Sequence, residues 1–327
     1  YQQLLAYYDE HGIIPECSRE PMAALVIDKP GIYDISAEAY HADCCPTPSL
    51  SSSIARTLLT SSPHHAWWEH PRLNPGRVRE EEEKFDLGTA AHAYILQGES
   101  AFVIVDAPDW RTKDARADRA AARAAGKLPL LAHRWQDVLG MAEAAARQLD
   151  HYEDSPQPFT NGKAEETLIW QEGEVWCRAR LDWLHADHRT VDDLKTTSAS
   201  ANPETWSRTL FGAGADIQAA FYLRGLRAVF GLEGVFRFVV IENFAPYALS
   251  VIGLGPDALL LGEKKVRYAI EQWSWCLKAN RWPGYPTRTC WASLPAWEEA
   301  RWLEREMQPV DDGRPIGDLL AGMGDLR

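Results

Sequence analysis

Asp182, Asp193 and Lys195 have the residue types and the spacing that hydrolysis of a phosphodiester requires. Asp182 ends one predicted strand and Asp193 lies on the next, so a turn between the strands would bring the two carboxylates side by side. Because side chains alternate along a strand, Asp193 and Lys195 share one face. Two carboxylates suit Mg²⁺, and a lysine beside them could orient a water or offset charge in the transition state.

The same three residues allow a simpler interpretation, because an Asp-x-Lys triplet is common by chance on a solvated strand. Val191, Leu194 and the apolar strand before Asp182 favour a buried setting instead. A buried carboxylate without a partner costs free energy, so a metal ion or a cation is expected beside it. The main-chain carbonyl of Leu194 is a candidate further metal ligand.

Two more residues are candidates for the same centre. Glu165 opens the preceding strand and could bind metal or hold Lys195, and we prefer it to Glu166 on the opposite face. His92 lies one helical turn after Gly88 and could bind a second metal or the phosphate. The alternative for His92 is a structural role, which is common for a single histidine on a helix.

Candidate DNA contacts come from a helix and from a basic segment. Gln218 and Tyr222 lie four apart on a predicted helix and could point at DNA near the metal. Segment 111–127 is rich in arginine and alanine, and it is either an arm that contacts phosphates or a solvated helix or mobile loop. The candidate arginines are Arg116, Arg119 and Arg123, which share one helical face of this segment, and Arg178 and Arg180 in the strand that ends at Asp182.

The elements that must position these residues follow an α/β pattern. Predicted strands cover residues 165–170, 175–184, 190–194, 236–242 and 248–253. Predicted helices cover 49–59, 81–96, 131–150, 215–230, 256–279 and 294–306, with another opening at Pro203. Short turns join the first three strands, which therefore predict an antiparallel meander. Residues 1–48 predict an irregular lead-in, and 64–70 predict a helix end with aromatic packing in preference to a histidine metal tract.

Composition limits the function classes. The net charge of −13 counts against DNA binding, although a nuclease must concentrate carboxylates and local basic patches can act within an acidic chain. None of the six cysteines forms a CxxC pair, so a zinc site is not expected. An iron–sulfur cluster on Cys276 and Cys290 with Cys44 or Cys45 is a weaker alternative to reduced thiols in a cytoplasmic protein. No membrane span or signal pattern is found.

Five stretches in a fixed order carry a resemblance to a known family. They are Gly88-Thr89-Ala90-Ala91-His92, Ala164-Glu165, Cys177-Arg178-Ala179-Arg180-Leu181-Asp182, Asp192-Asp193-Leu194-Lys195-Thr196-Thr197 and Gln218-Ala219-Ala220-Phe221-Tyr222. The set resembles the PD-(D/E)XK nucleases and, more closely, the RecE-like nuclease domain of exodeoxyribonuclease VIII. The resemblance covers about residues 38–300.

The resemblance implies an α/β fold of the restriction-endonuclease type, with a central mixed sheet flanked by helices. It implies catalytic roles for His92, Asp182, Asp193 and Lys195. Glu165 matches an acidic position at the start of the corresponding strand in the family. The order of domains would be a lead-in over 1–37, a nuclease domain over 38–306 and a mobile tail over 307–327.

The activity that the resemblance implies is degradation of linear duplex DNA from 5′ ends with Mg²⁺, for which Mn²⁺ could substitute. It would leave 3′ tails for a single-strand annealing partner in phage-type recombination, and the chain could form a ring around DNA. Leu181 stands where the family often has proline, which would shift the strand slightly without removing Asp182. A structure-specific endonuclease and a non-catalytic DNA-binding protein with the same fold are the alternatives.

Overall fold

The computed structural model describes residues 25–77 and 87–307, and the chain divides into two compact units, Tyr1–Gly284 and Tyr285–Arg327. Residues 1–24 of the lead-in, the predicted helix start over residues 81–86 and residues 308–327 of the predicted mobile tail therefore lie outside the described residues. No described helix is both long and apolar enough to cross a membrane.

The described part of the first unit contains nine α-helices, one short 3₁₀ helix (Glu99–Ala101) and eight strands. The strands are β1 (Gly31–Tyr33), β2 (Phe102–Val105), β3 (Leu128–Leu131), β4 (Gly162–Glu172), β5 (Val175–His185), β6 (Thr190–Thr197), β7 (Val235–Glu242) and β8 (Leu249–Gly253). The helices are α1 (Ala37–His41), α2 (Ser52–Thr60), α3 (Pro63–Glu69), α4 (Leu87–Gln97), α5 (Lys113–Ala124), α6 (Ala132–Leu149), α7 (Pro203–Gly212), α8 (Ala215–Phe230) and α9 (Pro256–Ala279). The described part of the second unit contains α10 (Ala296–Glu306).

Six strands form the central sheet in the order β1-β4-β5-β6-β7-β8. All neighbouring pairs are antiparallel except β6 and β7, which run parallel. The antiparallel meander predicted for the strands around residues 165–194 is confirmed as β4, β5 and β6. The predicted α/β class with a mixed sheet flanked by helices is also confirmed.

Side-chain alternation along the strands separates two cores. On β7, Phe236 and Phe238 join a large core together with α2, α3, α7, α8 and α9. Val239 and Ile241 point the other way and pack with Leu194 in a smaller core under α4 and α6. Since Leu194 faces the smaller core, its neighbours on β6 face α8. The alternation predicted for β6 therefore decides which helix covers the catalytic candidates.

Helix α8 approaches the sheet closely because of a glycine. A Cβ added at Gly225 would lie 2.6 Å from the side chain of Leu168 and 2.8 Å from that of Trp170, both on β4. On the same helix, Phe221 packs against Trp170 with ring centroids 4.8 Å apart. This close approach places the polar residues of α8 directly over β5 and β6.

Several short elements were not predicted. The lead-in contains β1 and α1, and the latter is capped by the Ser36 hydroxyl, which accepts a hydrogen bond from the Ala39 amide. A separate two-stranded sheet of parallel β2 and β3 flanks α5. Elements of three to five residues leave too little periodicity in the sequence to be recognised.

A buried ionic cluster ties the lead-in to β5. The carboxylate of Asp43 accepts hydrogen bonds from the amide and hydroxyl of Ser49, and it lies 3.2 Å from Arg178 and 3.4 Å from His70. Arg178 also donates to the carbonyl of Tyr40. The guanidinium of Arg178 is therefore buried and bound to internal partners, where we predicted a DNA contact.

Candidate active site

The candidate site lies where β5 and β6 separate. The two strands pair only at Trp183–Asp192 and Leu184–Val191. Continuing the same register would pair Asp182 with Asp193, but the ladder stops before these residues. The gap leaves main-chain groups of β6 free for other partners, and a carboxylate occupies it.

Asp182 bridges that gap. Its Oδ2 accepts a hydrogen bond of 2.8 Å from the amide of Leu194, which replaces a ladder bond, and it lies 3.0 Å from Nε2 of His92 on α4. Burial lowers the pKa of His92, but the hydrogen bond to Asp182 and the surrounding carboxylates outweigh it and raise that pKa above its ordinary value. The contact with Asp182 thus orients the imidazole ring of His92.

Glu165 sits opposite Asp182 on β4, between the paired positions Ala164–Trp183 and Glu166–Leu181. Its φ of 61° is in the left-handed region, which is uncommon for a residue with a side chain and frequent at functional sites. Arg180 donates from Nε to its carboxylate. Glu166, the less favoured candidate, instead lies 3.2 Å from Lys163.

Asp193 and Lys195 form an ion pair on the face of β6 that α8 covers. Burial and the charge of Asp182 raise the pKa of Asp193 to about 6, while Lys195 opposes the rise. Burial lowers the pKa of Lys195, but the carboxylates of Asp193 and Asp182 raise it above its ordinary value. At neutral pH the lysine is therefore a cation and Asp193 is mainly ionised.

Gln218 and Tyr222, the two candidate DNA contacts on α8, face the strands. Gln218 donates a hydrogen bond of 2.6 Å from Nε2 to Oδ1 of Asp193, and Tyr222 donates one of 2.9 Å from its hydroxyl to the carbonyl of Arg180. Tyr222 is buried. The structure thus gives both side chains positioning contacts with site residues, where we predicted DNA contacts.

One group among the described residues brings three potential metal ligands together. Ligand atoms of His92, Glu165 and Asp182 all lie within 4.8 Å of one another. Asp193 is not a member of this group, and its two oxygens contact Gln218 and Lys195. Carboxylates are the ligands that Mg²⁺ and Mn²⁺ prefer, so the donor chemistry fits a divalent cation.

The side chains of this group line a cleft of about 490 Å³. Its lining includes Arg180 and Gln218 together with Arg56 and Ser52 at the start of α2. Arg56 is a lining residue that we did not single out from the sequence. The sequence feature that could have identified Arg56 is an arginine in the first turns of a helix that begins with serines, where positive charge and amide groups favour anions.

The basic segment 111–127 forms the exposed helix α5, in agreement with one of the two predicted conformations. Thr112 caps the helix, Arg116 donates to the carbonyl of Trp110, and Arg119 lies 5.3 Å over the Trp110 ring. Arg123 is exposed. The helix is therefore an ordered carrier of positive charge.

No described cysteine of the first unit belongs to a group of three or more potential metal ligands. Cys44, Cys45 and Cys276 are buried free thiols, and Cys290 is exposed in the other unit. The group of His92, Glu165 and Asp182 contains no cysteine. The structure thus offers no support for the iron–sulfur alternative.

The chain matches a family model and is similar to solved structures. Residues 51–291 match the family model described as a PDDEXK-like domain of unknown function (DUF3799). A solved structure provisionally named an exonuclease, from Eubacterium rectale, is similar with 11% identity and a TM-score of 0.50, over 82% of this chain and 98% of that chain. An alkaline exonuclease from Laribacter hongkongensis has 14% identity and a TM-score of 0.26, over 58% and 89%. No curated protein matches the sequence.

Proposed function

The chain belongs to the family of PDDEXK-like domains of unknown function (DUF3799), and we propose that it is a Mg²⁺-dependent exonuclease of linear double-stranded DNA. The observation that carries the proposal is the convergence of His92, Glu165 and Asp182 with the Asp193–Lys195 pair at one break in the sheet. A structural charge cluster would need neither an open cleft nor a strained backbone at Glu165.

The proposed metal ligands are Asp182, Glu165, Asp193 and His92, with the Leu194 carbonyl in addition. In a strand, the amide and carbonyl of one residue point toward the same neighbour, so the Leu194 amide bound to Asp182 indicates that its carbonyl faces the same gap. A divalent ion held there would polarise the scissile phosphate and lower the pKa of a bound water.

The protein's own residues then have separate tasks. Lys195, a cation beside Asp193, orients the attacking water and offsets charge on the pentavalent phosphorus. Arg180 lines the cleft and holds Glu165, and Gln218 fixes the carboxylate plane of Asp193. The exposed cations of α5 attract the phosphates of the duplex.

The finer features of the proposal come from the RecE-like resemblance. They are a nuclease domain over residues 38–306, a 5′ to 3′ direction that leaves 3′ tails, and a single-strand annealing partner in phage-type recombination. They also include a cytoplasmic location and assembly into a ring. The direction of degradation is tested by a cleavage assay, since polarity and end-dependence are read from its products.

The test is degradation of 5′-labelled linear duplex with Mg²⁺, with Mn²⁺ and with EDTA, beside a closed circular duplex. We expect loss of the linear DNA only with metal, release of the label first, and an intact circle. Asp182→Asn should abolish this loss, whereas Asp150→Asn, the same change at an exposed position, should not. Cleavage of the circle would support an endonuclease, and binding without cleavage a non-catalytic DNA-binding protein.

A further inference from the structure

Helix α9 carries a row of large apolar side chains on its outer face. Leu261, Tyr268 and Trp275 are 46%, 59% and 49% exposed. They are seven residues apart, so they share one stripe that drifts by only about 20° per repeat. The inner face of the helix buries Val266 and Trp273, which fixes α9 to the first unit. We call these three exposed residues the apolar row.

A second row on α9 consists of exposed charges with the same spacing. Asp257, Lys264, Glu271 and Lys278 lie three or four residues from members of the apolar row, and we call them the charged row. Asp257, Lys264 and Glu271 form no ion pair with any residue that the structure describes, while Lys278 contacts the exposed Glu174. The order of signs along the row is minus, plus, minus, plus.

We propose that a second copy of this chain docks on these rows, with the two α9 helices antiparallel about a twofold axis beside Tyr268. Such an axis places each Tyr268 against its counterpart. It also places Leu261 of one copy, seven residues before the axis, against Trp275 of the other, seven residues after it. Every member of the apolar row is then covered by an apolar side chain.

The charged row makes this pairing specific. Under the same axis Lys264 of one copy lies beside Glu271 of the other, and Asp257 lies beside Lys278. Each contact occurs twice because the interface is symmetric. A parallel arrangement would instead set each charge beside its own counterpart, and like charges at an interface are repulsive. The alternating signs therefore select the antiparallel second copy over a parallel one.

The small area of the two rows limits the expected affinity of the dimer. One helix face offers less than the roughly 800 Å² per partner of a typical stable interface. We therefore expect a dimer that dissociates on dilution and weakens with salt, because its ion pairs are at the solvent boundary. A twofold contact closes with two copies, so any larger ring would need a second type of contact.

The experiment is sedimentation of the full chain without DNA, over a dilution series at low and high salt. The wild-type chain should shift from monomer to dimer as its concentration rises. Lys264→Glu and Glu271→Lys should each weaken association by at least about tenfold, because each places like charges together twice. The double variant carries both changes and should restore the dimer, because residues 264 and 271 then form the same ion pair with their charges exchanged.

Lys29→Glu is the matched control, because it makes the same charge change at an exposed position outside α9. It should leave association unchanged. The proposal would be wrong if the chain were monomeric at all concentrations, or if the double variant associated no more strongly than the single variants. The two rows would then be a binding surface for a different protein. Sedimentation reports mass in solution, so the result tests the dimer independently of nuclease activity.

Discussion

At the scale of single residues, the site depends on charges that stabilise one another. Lys195 is a half-buried cation because Asp193 and Asp182 are beside it, and Asp193 stays mainly ionised because Lys195 is beside it. His92 and Glu165 reach Asp182 from different elements. Removing one member therefore changes the protonation of the others as well as its own role.

Lys195→Ala should lower cleavage roughly a hundredfold to a thousandfold, the range typical for loss of one group that stabilises transition-state charge. Folding, measured by circular dichroism, and DNA binding should be largely retained. Lys163→Ala, which removes an exposed lysine on β4, should cleave normally. Full activity in Lys195→Ala would show that the proposed mechanism is wrong even if the fold is right.

Gln218→Ala should raise the metal concentration needed for cleavage by roughly tenfold to a hundredfold, as expected when a group that orients a metal ligand is lost. The reason is that Asp193 would lose the donor that fixes Oδ1. Metal titrations of cleavage would measure the shift, with Gln171→Ala at an exposed position of β4 as the control. An unchanged metal requirement would show that Gln218 does not position Asp193.

At the scale of elements, the decisive feature is the early separation of β5 from β6. Two register pairs hold the strands together, and the next position opens for the side chain of Asp182. Helix α4 enters from one face with His92, and α8 covers the other with Gln218. The buried small residues of α4, including Ala90 and Ala91, allow its close packing. Each element thus contributes one side of the cleft.

Helix α5 should supply part of the DNA affinity. Replacing Arg116, Arg119 and Arg123 together by alanine should weaken binding and lower the slope of log affinity against log salt by up to about 2.7, from about 0.9 per phosphate contact. Filter binding over a salt series would measure this slope. A variant that loses three other exposed cations, at Lys29, Arg189 and Arg281, is the control. Equal slopes in the two variants would exclude a specific role for α5.

At the scale of the whole molecule, a buried ionic cluster anchors the lead-in, and its strength depends on pH. Burial acts to raise the pKa of Asp43, but hydrogen bonds and the charge of Arg178 lower it to about 2. In the unfolded chain the value is about 3.9. The folded protein thus binds the proton less readily, so Asp43 stabilises the fold above about pH 4 and loses this effect as pH falls toward 2.

The free energy of unfolding should therefore fall by about 2 kcal/mol between pH 5 and pH 2 through Asp43 alone. Urea denaturation at a series of pH values would measure it. Asp43→Asn should be less stable at neutral pH and should show a flatter dependence over this range. Asp28→Asn, at an exposed position, should keep the slope of the wild type. Parallel curves for Asp43→Asn and wild type would contradict this role.

Local patterns in the sequence were enough to identify the catalytic candidates and the main strands. Asp182, Asp193 and Lys195 could be placed together because strand alternation and a short turn are local rules. The same rules favoured Glu165 over Glu166. The helix of residues 215–230 and its polar pair were also visible as a continuous pattern. Local periodicity was sufficient in these cases because each element is long enough to show it.

The partners of these polar side chains depend on the tertiary structure and cannot be read from the sequence. Arg178 and Arg180 are two apart on one strand, yet Arg178 is buried against Asp43 and Arg180 lines the cleft. Gln218 and Tyr222 face the sheet because Gly225 brings α8 close to β4. Such partners lie tens of residues or more away in the chain, so no local pattern encodes them. Their identity follows from how the helices pack on the sheet.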